Sequence, residues 1–171
     1  LESENMTGKL GSMATATVVQ MITAPTGVNA GLGALTLAGQ AGPAILQTAQ
    51  VVSQNVAADV AEQAGAIQYP TVSVYCEKLV NSQVEKFRSF SGTIQMAIEL
   101  RYSQDRLDGL QDAMAVYADA LLQVLEANQG DWGNGLFYAG TFQAAYGPVK
   151  HGGRNFLQTA KITFEIGVSI N

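Results

Sequence analysis

Alternation is strongest at the end of the chain. Phe156, Ala160, Ile162, Phe164, Ile166, Val168 and Ile170 hold one side of a two-residue period, and Leu157, Thr159, Lys161, Thr163, Glu165 and Ser169 hold the other. Strand side chains point alternately to two faces, so 156–170 is expected as a strand with one buried face. The same period runs through Ile94, Met96, Ile98, Leu100 and Tyr102, set between Thr93, Gln95, Ala97, Glu99 and Arg101. Just after Tyr69-Pro70, Val72, Val74 and Cys76 alternate with Thr71, Ser73 and Tyr75. These two segments are expected to pair as a hairpin, with Glu77 to Arg88 either prolonging the first strand or forming a charged loop. Residues 136–146 read as a further strand with Gly140 as a bulge. Gly147-Pro148 and Gly152-Gly153 mark a loop ahead of the last strand.

A longer period governs the intervening segments. Leu107, Leu110, Met114, Tyr117, Leu121 and Val124 recur at spacings of three and four, which predicts a helix over 105–127, capped by Ser103 or Asp105. Asn128 to Gly135 is a turn-rich exit. Ile45, Ala49, Val52, Val56 and Val60 form a similar stripe, with Pro43 suited to a first turn and Gly65 to a stop. They predict a helix over 44–64. Further upstream, glycines at 27, 31, 33, 39 and 42 and prolines at 25 and 43 interrupt the pattern. Met13 to Ile22 is a short helix or strand. Val28 to Gln40 reads as an irregular or extended arm. Its Val28, Leu32, Leu35 and Leu37 must pack on something, a neighbouring subunit being one candidate.

The order is therefore α-β-β-α-β-β. It points to an α+β fold with a mainly antiparallel four-stranded sheet packed with helices, preceded by a Gly/Ala-rich N-terminal arm. Residues 1–12 are polar and set aside as a cloning remnant or flexible start. Residues 13–67 hold the arm and first helix, and 68–171 form the compact α+β domain.

Composition changes this picture in one respect. Charged residues are 13% of the 171, about half the usual share of roughly 25%. Between Met13 and Ala58 there is no charge at all. Such a surface would be sticky alone, which points to self-association. A net charge of −5 argues against a free-standing nucleic-acid binder. The single cysteine, Cys76, allows no intrachain disulfide and reads as a buried structural thiol. With one histidine there is no Cys/His cluster, and no metal or other cofactor is expected. The chain has no run of 18 apolar residues, so no membrane helix is expected.

The candidate chemistry is sparse. His151, within Lys150-His151-Gly152-Gly153-Arg154, is either a general base in an anion-binding loop or part of a polar loop whose cations meet carboxylates of the same or an adjacent subunit. The chain lacks a Gly-x-Ser-x-Gly elbow, which favours the second. A small enzyme would have to rest on His151, Arg154 and Asp131, and the expectation is that the chain is not an enzyme. A ligand-binding module would need a concave apolar pocket. Trp132 sits in a glycine-rich stretch, 130–135, that follows a helix and so lacks phosphate-loop context. It is either packed on the sheet or an exposed aromatic anchor. Arg88 belongs to Glu85-Lys86-Phe87-Arg88, a solvated hairpin tip or an intersubunit contact. Asp105, Asp108, Asp112 and Asp119 read as a solvated or interfacial helix face. The candidate interface residues are Arg88, Trp132, Lys150, His151 and Arg154.

Four stretches together resemble small structural proteins of long-tailed phages. They are Tyr69-Pro70-Thr71-Val72-Ser73-Val74-Tyr75-Cys76-Glu77-Lys78, the strand running into Gln104-Asp105-Arg106-Leu107, Gly130-Asp131-Trp132-Gly133, and Gly147-Pro148-Val149-Lys150-His151-Gly152-Gly153-Arg154-Asn155-Phe156. The family is the tail terminator, also called the tail completion or tail-to-head joining protein. The resemblance covers about residues 69–171 and rests on element order and loop character. It implies a non-enzymatic α+β protein of the virion, assembled in the host cytoplasm as a homohexameric ring. Such a ring caps the tail tube, ends its growth and meets the neck or connector at the tail–neck junction. DNA would pass the lumen without specific binding, helped by a negative lining. The alternative is another morphogenesis component, a tail-tube subunit or head-completion protein. Physically, a long strand such as 156–170 could offer a sheet edge to a neighbour.

Overall fold

The computed structural model describes residues 9–36, 44–55 and 67–171. Among these are three α-helices, α1 (Leu10–Thr23), α2 (Val28–Thr36) and α3 (Leu110–Ala127). The strands are β1 (Val51–Val52), β2 (Thr71–Asn81), β3 (Phe90–Gln104), β4 (Gly130–Gly133), β5 (Leu136–Tyr138), β6 (Phe142–Tyr146), β7 (Lys150–Gly152) and β8 (Asn155–Ile170). The fold is α+β, as the sequence predicts, and none of the described helices is long and apolar enough to cross a membrane.

Three of the four expected strands, β2, β3 and β8, form the centre of one sheet. β2 pairs antiparallel with β3, and β3 with β8 along its whole length, Phe90 opposite Ile170 and Gln104 opposite Phe156. The sheet is wider and more mixed than four antiparallel strands. β1 joins β2 in parallel, Val51 opposite Val72. On the far side of β8 lie β7, β6 and β5 in succession, with β4 beyond β5. The strand expected over 136–146 breaks into β5 and β6 because Gly140, at φ +93°, turns the chain between them. The exit after α3 is itself a hairpin: Asn134 and Gly135 both have positive φ, which suits a tight turn joining β4 to β5. β8 is interior, flanked on both sides, so it offers no edge to a neighbour; the edges belong to other strands.

One period-two face of β2, β3 and β8 supplies the core. Val72, Val74, Ile94, Met96, Ile98, Leu100, Ala160, Ile162, Ile166 and Val168 are buried against Met114, Tyr117, Leu121 and Leu125 of α3. Each fully buried aliphatic or aromatic side chain contributes about 1.5–3 kcal/mol, so this shared face dominates folding.

The N-terminal region departs most from expectation. Residues 28–36 are helix α2 instead of an extended arm; 37–40 lie outside the described residues. Met13 to Ile22 is helical, and α1 begins earlier, at Leu10. Leu10, Ala14, Val18, Ile22, Val28 and Leu32 enter the same core cluster as the sheet, so α1 and α2 pack into the 68–171 domain. Gly31 brings α2 close to α3, where a side chain would press on Ala120 and Gln123.

The helix predicted over 44–64 does not form over 44–55, and 56–64 lie outside the described residues. Tertiary hydrogen bonds take that backbone instead. Asn29 Nδ2 donates to the Leu46 carbonyl (2.9 Å), and the Leu46 N–H donates to Asn29 Oδ1 (2.8 Å). Tyr117 Oη donates to the Ala44 carbonyl (2.7 Å). After one 3-10 turn at Thr48–Gln50, the buried Gln50 donates through Nε2 to the Pro70 carbonyl (2.9 Å). Val51 and Val52, β-branched and poor in helices, then join β2.

Candidate assembly surfaces

The core face of the sheet is covered by helices, and the opposite face carries polar rows set by the register. Ser73, Glu99 and Lys161 share one row; Tyr75, Ala97, Thr163 and Gln143 the next; Lys78, Gln95 and Glu165 another. Tyr75 Oη donates to Glu99 Oε2 at 3.1 Å. Arg101 reaches the same carboxylate through Nη2 (2.6 Å) and Nε (3.0 Å). Lys161 pairs with Glu77 and lies 6.0 Å above the Tyr75 ring. Burial, then the Glu99 charge, push the Tyr75 hydroxyl above its ordinary pKa. The hydrogen bond to Glu77 raises that of Lys161. Arg101 is only 6% exposed, so its bond to Glu99 is shielded from solvent and losing either partner would strand the other. The row charges balance: Glu77, Glu99 and Glu165 face Lys78, Arg101 and Lys161. The negative bias expected of a lumen lining is therefore not carried by this face.

Both sides of the sheet end in strands that are open among the described residues. On the side away from β3, β1 covers β2 only at Val72 and Ser73, and no other described strand pairs with β2 there. On the other side, β6 pairs with β8 alone. Phe142-Gln143-Ala144-Ala145-Tyr146 is uncharged, and its Phe142 and Tyr146 are exposed. It lacks the lysines and inward charges that usually protect an edge. Since β2, β3, β8 and β6 alternate in direction, β2 and β6 run oppositely.

The candidate interface residues divide between the two ends of β8, about 50 Å apart for a 16-residue strand. Lys150, His151 and Arg154 come together, all exposed, on the β7–β8 hairpin. The His151 ring meets Phe156 edge-on at 5.1 Å. Among the described residues neither Lys150 nor Arg154 forms an ion pair, so the carboxylates expected to meet them are not in this part of the chain. Arg88 sits at the other end, on the β2–β3 tip, pairing with Glu85 at 3.0 Å and donating to Asn171. Trp132 is half-buried: its indole N–H donates to the Asn128 carbonyl at 2.6 Å and its ring packs at 5.5 Å from Tyr138. Asp131 accepts from the Gly133 N–H, far along the sheet from His151, so the three residues an enzyme would need are not assembled. Asp105, Asp108, Asp112 and Asp119 are all exposed.

Two surfaces escaped the sequence. One is the apolar tip beside Arg88: Phe87 is 98% exposed and Val84 76%. The other is a cleft of about 590 Å³ between α1 and β2, walled by Gly11, Thr15, Ala16, Val19, Tyr75 and Cys76. Cys76, expected as a buried thiol, is half-buried on the wall of this cleft; burial raises its pKa, and its Sγ donates to the Lys78 carbonyl (3.8 Å). The cleft unites segments about sixty residues apart, and no local pattern announces it. A scan against protein-family models finds no match to this chain, and a search of curated proteins finds none either.

Proposed function

We propose that this chain is a structural, non-enzymatic protein of a long-tailed phage that assembles head to tail into a ring, on the resemblance a hexamer, closing the end of the tail tube. In this reading it sits at the tail–neck junction, ends tube growth, and presents its other face to the neck or connector. The observation that carries the reading is the pair of open edges. They lie on opposite sides of one sheet and run in opposite directions. A copy related by rotation about an axis roughly parallel to the strands brings β6 against β2 of its neighbour in antiparallel register. The alternation then continues across the seam, which is what a heterologous, closing interface requires. The polar, charge-balanced face gives such a ring a lining without the clustered cations that hold phosphate. The separation of Asp131 from His151 and Arg154 supports a structural role over an enzymatic one.

Electron micrographs of the chain added to its polymerising tail-tube protein test the reading. Discrete rings seated at one end of length-arrested tubes are expected. Open-ended tubes built from this chain alone would make it a tube subunit, and unassociated molecules would refute the ring.

A further inference from the structure

The two open edges carry apolar side chains on the same face of the sheet. Cross-strand partners share a face. Leu79 lies opposite the fully buried Ile94, so it stands on the helix side of β2. Phe142, Ala144 and Tyr146 lie opposite the buried Phe164, Ile162 and Ala160, so they stand on the helix side of β6. Leu79 is 44% exposed, Phe142 38% and Tyr146 47%, while Ala144 between the two rings is half-buried. The opposite side carries Lys78 and Val80 on β2 and Gln143 and Ala145 on β6.

Strand direction and the space along β2 then select a register. β2 and β6 run oppositely, so β6 of one copy meets β2 of the next as an antiparallel pair. β1 occupies the edge of β2 at Val72 and Ser73, and Ser53 follows it in the chain. That leaves Cys76 to Asn81 for a five-residue strand, the bulge between Cys76 and Lys78 adding one residue on the β2 side. The register that spans this stretch sets Leu79 opposite Ala144, with Phe142 beside Asn81 and Tyr146 beside Cys76. A large side chain then faces a small one flanked by two rings, and the three exposed apolar groups cover one another. Moving the register by one residue puts Leu79 on the opposite face from both rings. Moving it by two runs β6 into the chain that follows β1, or beyond Asn81.

We infer that Leu79 of one copy packs between Phe142 and Tyr146 of the next, opposite Ala144, and that this contact fixes the register of the seam. The inference rests on the ring reading and adds the register and the anchoring side chains, which edge pairing alone leaves open. The test places a thiol on each edge. Cys76→Ala removes the one native thiol, and in that background Leu79→Cys with Ala144→Cys should give disulfide-linked oligomers on a non-reducing gel after mild oxidation. Within one chain β2 and β6 are three strand spacings apart, about 14 Å, beyond the reach of a disulfide, so any bond joins two copies. Leu79→Cys with Gln143→Cys, on opposite faces, should stay unlinked. Sedimentation of Leu79→Asp, a change at an exposed site, should show self-association weakened about tenfold or more, and Leu79→Met should retain it. Linking through position 143 as readily as through 144, no linking at 144 in a chain that assembles, or undiminished association of Leu79→Asp would overturn the inference and leave the ring standing. A wild-type chain that stays monomeric would overturn both.

Discussion

A chain shortened to begin at Met13 should be less stable than the full chain by about 3 kcal/mol or more. Leu10 is fully buried at the start of α1, in contact with the shared core. Truncating a buried leucine to alanine destabilises by about 2–5 kcal/mol, through lost transfer energy and the cavity left behind. The shortened chain also loses Gly11, whose carbonyl accepts from Thr15 Oγ1 at 2.8 Å and whose Cα packs close to Cys76. At about 2–4 °C per kcal/mol for a domain of this size, the melting temperature should fall by roughly 10 °C, followed by circular dichroism. Leu10→Ala alone should reproduce most of the drop. An unchanged melting curve would mean that α1 does not hold the core.

Gly92→Ala should be as severe or worse. Gly92 lies in β3 where the hairpin with β2 is tightest. A methyl group there would stand 1.9 Å from the Val80 carbonyl oxygen and 2.9 Å from the Ser82 nitrogen. Both are backbone atoms of the paired strand, so no rotamer change relieves the overlap; the strands must separate or slip. Slipping reverses every face, exposing Ile94, Met96 and Ile98. Overpacking at yielding sites destabilises by about 1–3 kcal/mol, and this rigid one should exceed that. Urea unfolding should show a midpoint lowered well beyond that of an exposed control such as Gly33→Ala, where an added methyl meets nothing within 4 Å. Equal midpoints would refute the close approach.

The parts of this fold that were legible in the sequence are those in which one period decides everything. β2, β3, β8 and α3 each bury one face, so alternation or a three-and-four spacing marks them, but α3 starts at Leu110 behind Gly109, not at 105, so that Leu107 lies outside it and exposed and neither Ser103 nor Asp105 is its cap. The strand over 136–146 was half legible, since Gly140 marked a break without saying whether it was a bulge or a turn. Asn134-Gly135 is the strongest short hairpin signal in the chain, yet its place after α3 made it read as an exit. The stripe from Ile45 to Val60 misled because apolar spacing says nothing about what the backbone will bond to. Asn29, Tyr117 and Gln50 act from, or reach to, positions distant in the chain to keep 44–52 out of an α-helix. The glycines of α2 suggested an irregular arm, whereas Gly31 marks close packing on α3. Candidate assembly surfaces were legible only as charges and lone aromatics. Phe87 stood in plain view beside Arg88, but its exposure is a tertiary property. The opposed edges and the α1–β2 cleft exist only once the sheet is assembled.

Native mass spectrometry of the purified chain at tens of micromolar, in volatile buffer of moderate ionic strength, bears most directly on whether this molecule closes on copies of itself. The account predicts a single closed assembly, six copies of the 18.0 kDa chain, with no ladder of intermediate sizes. A spectrum holding only the 18.0 kDa monomer at that concentration would contradict it.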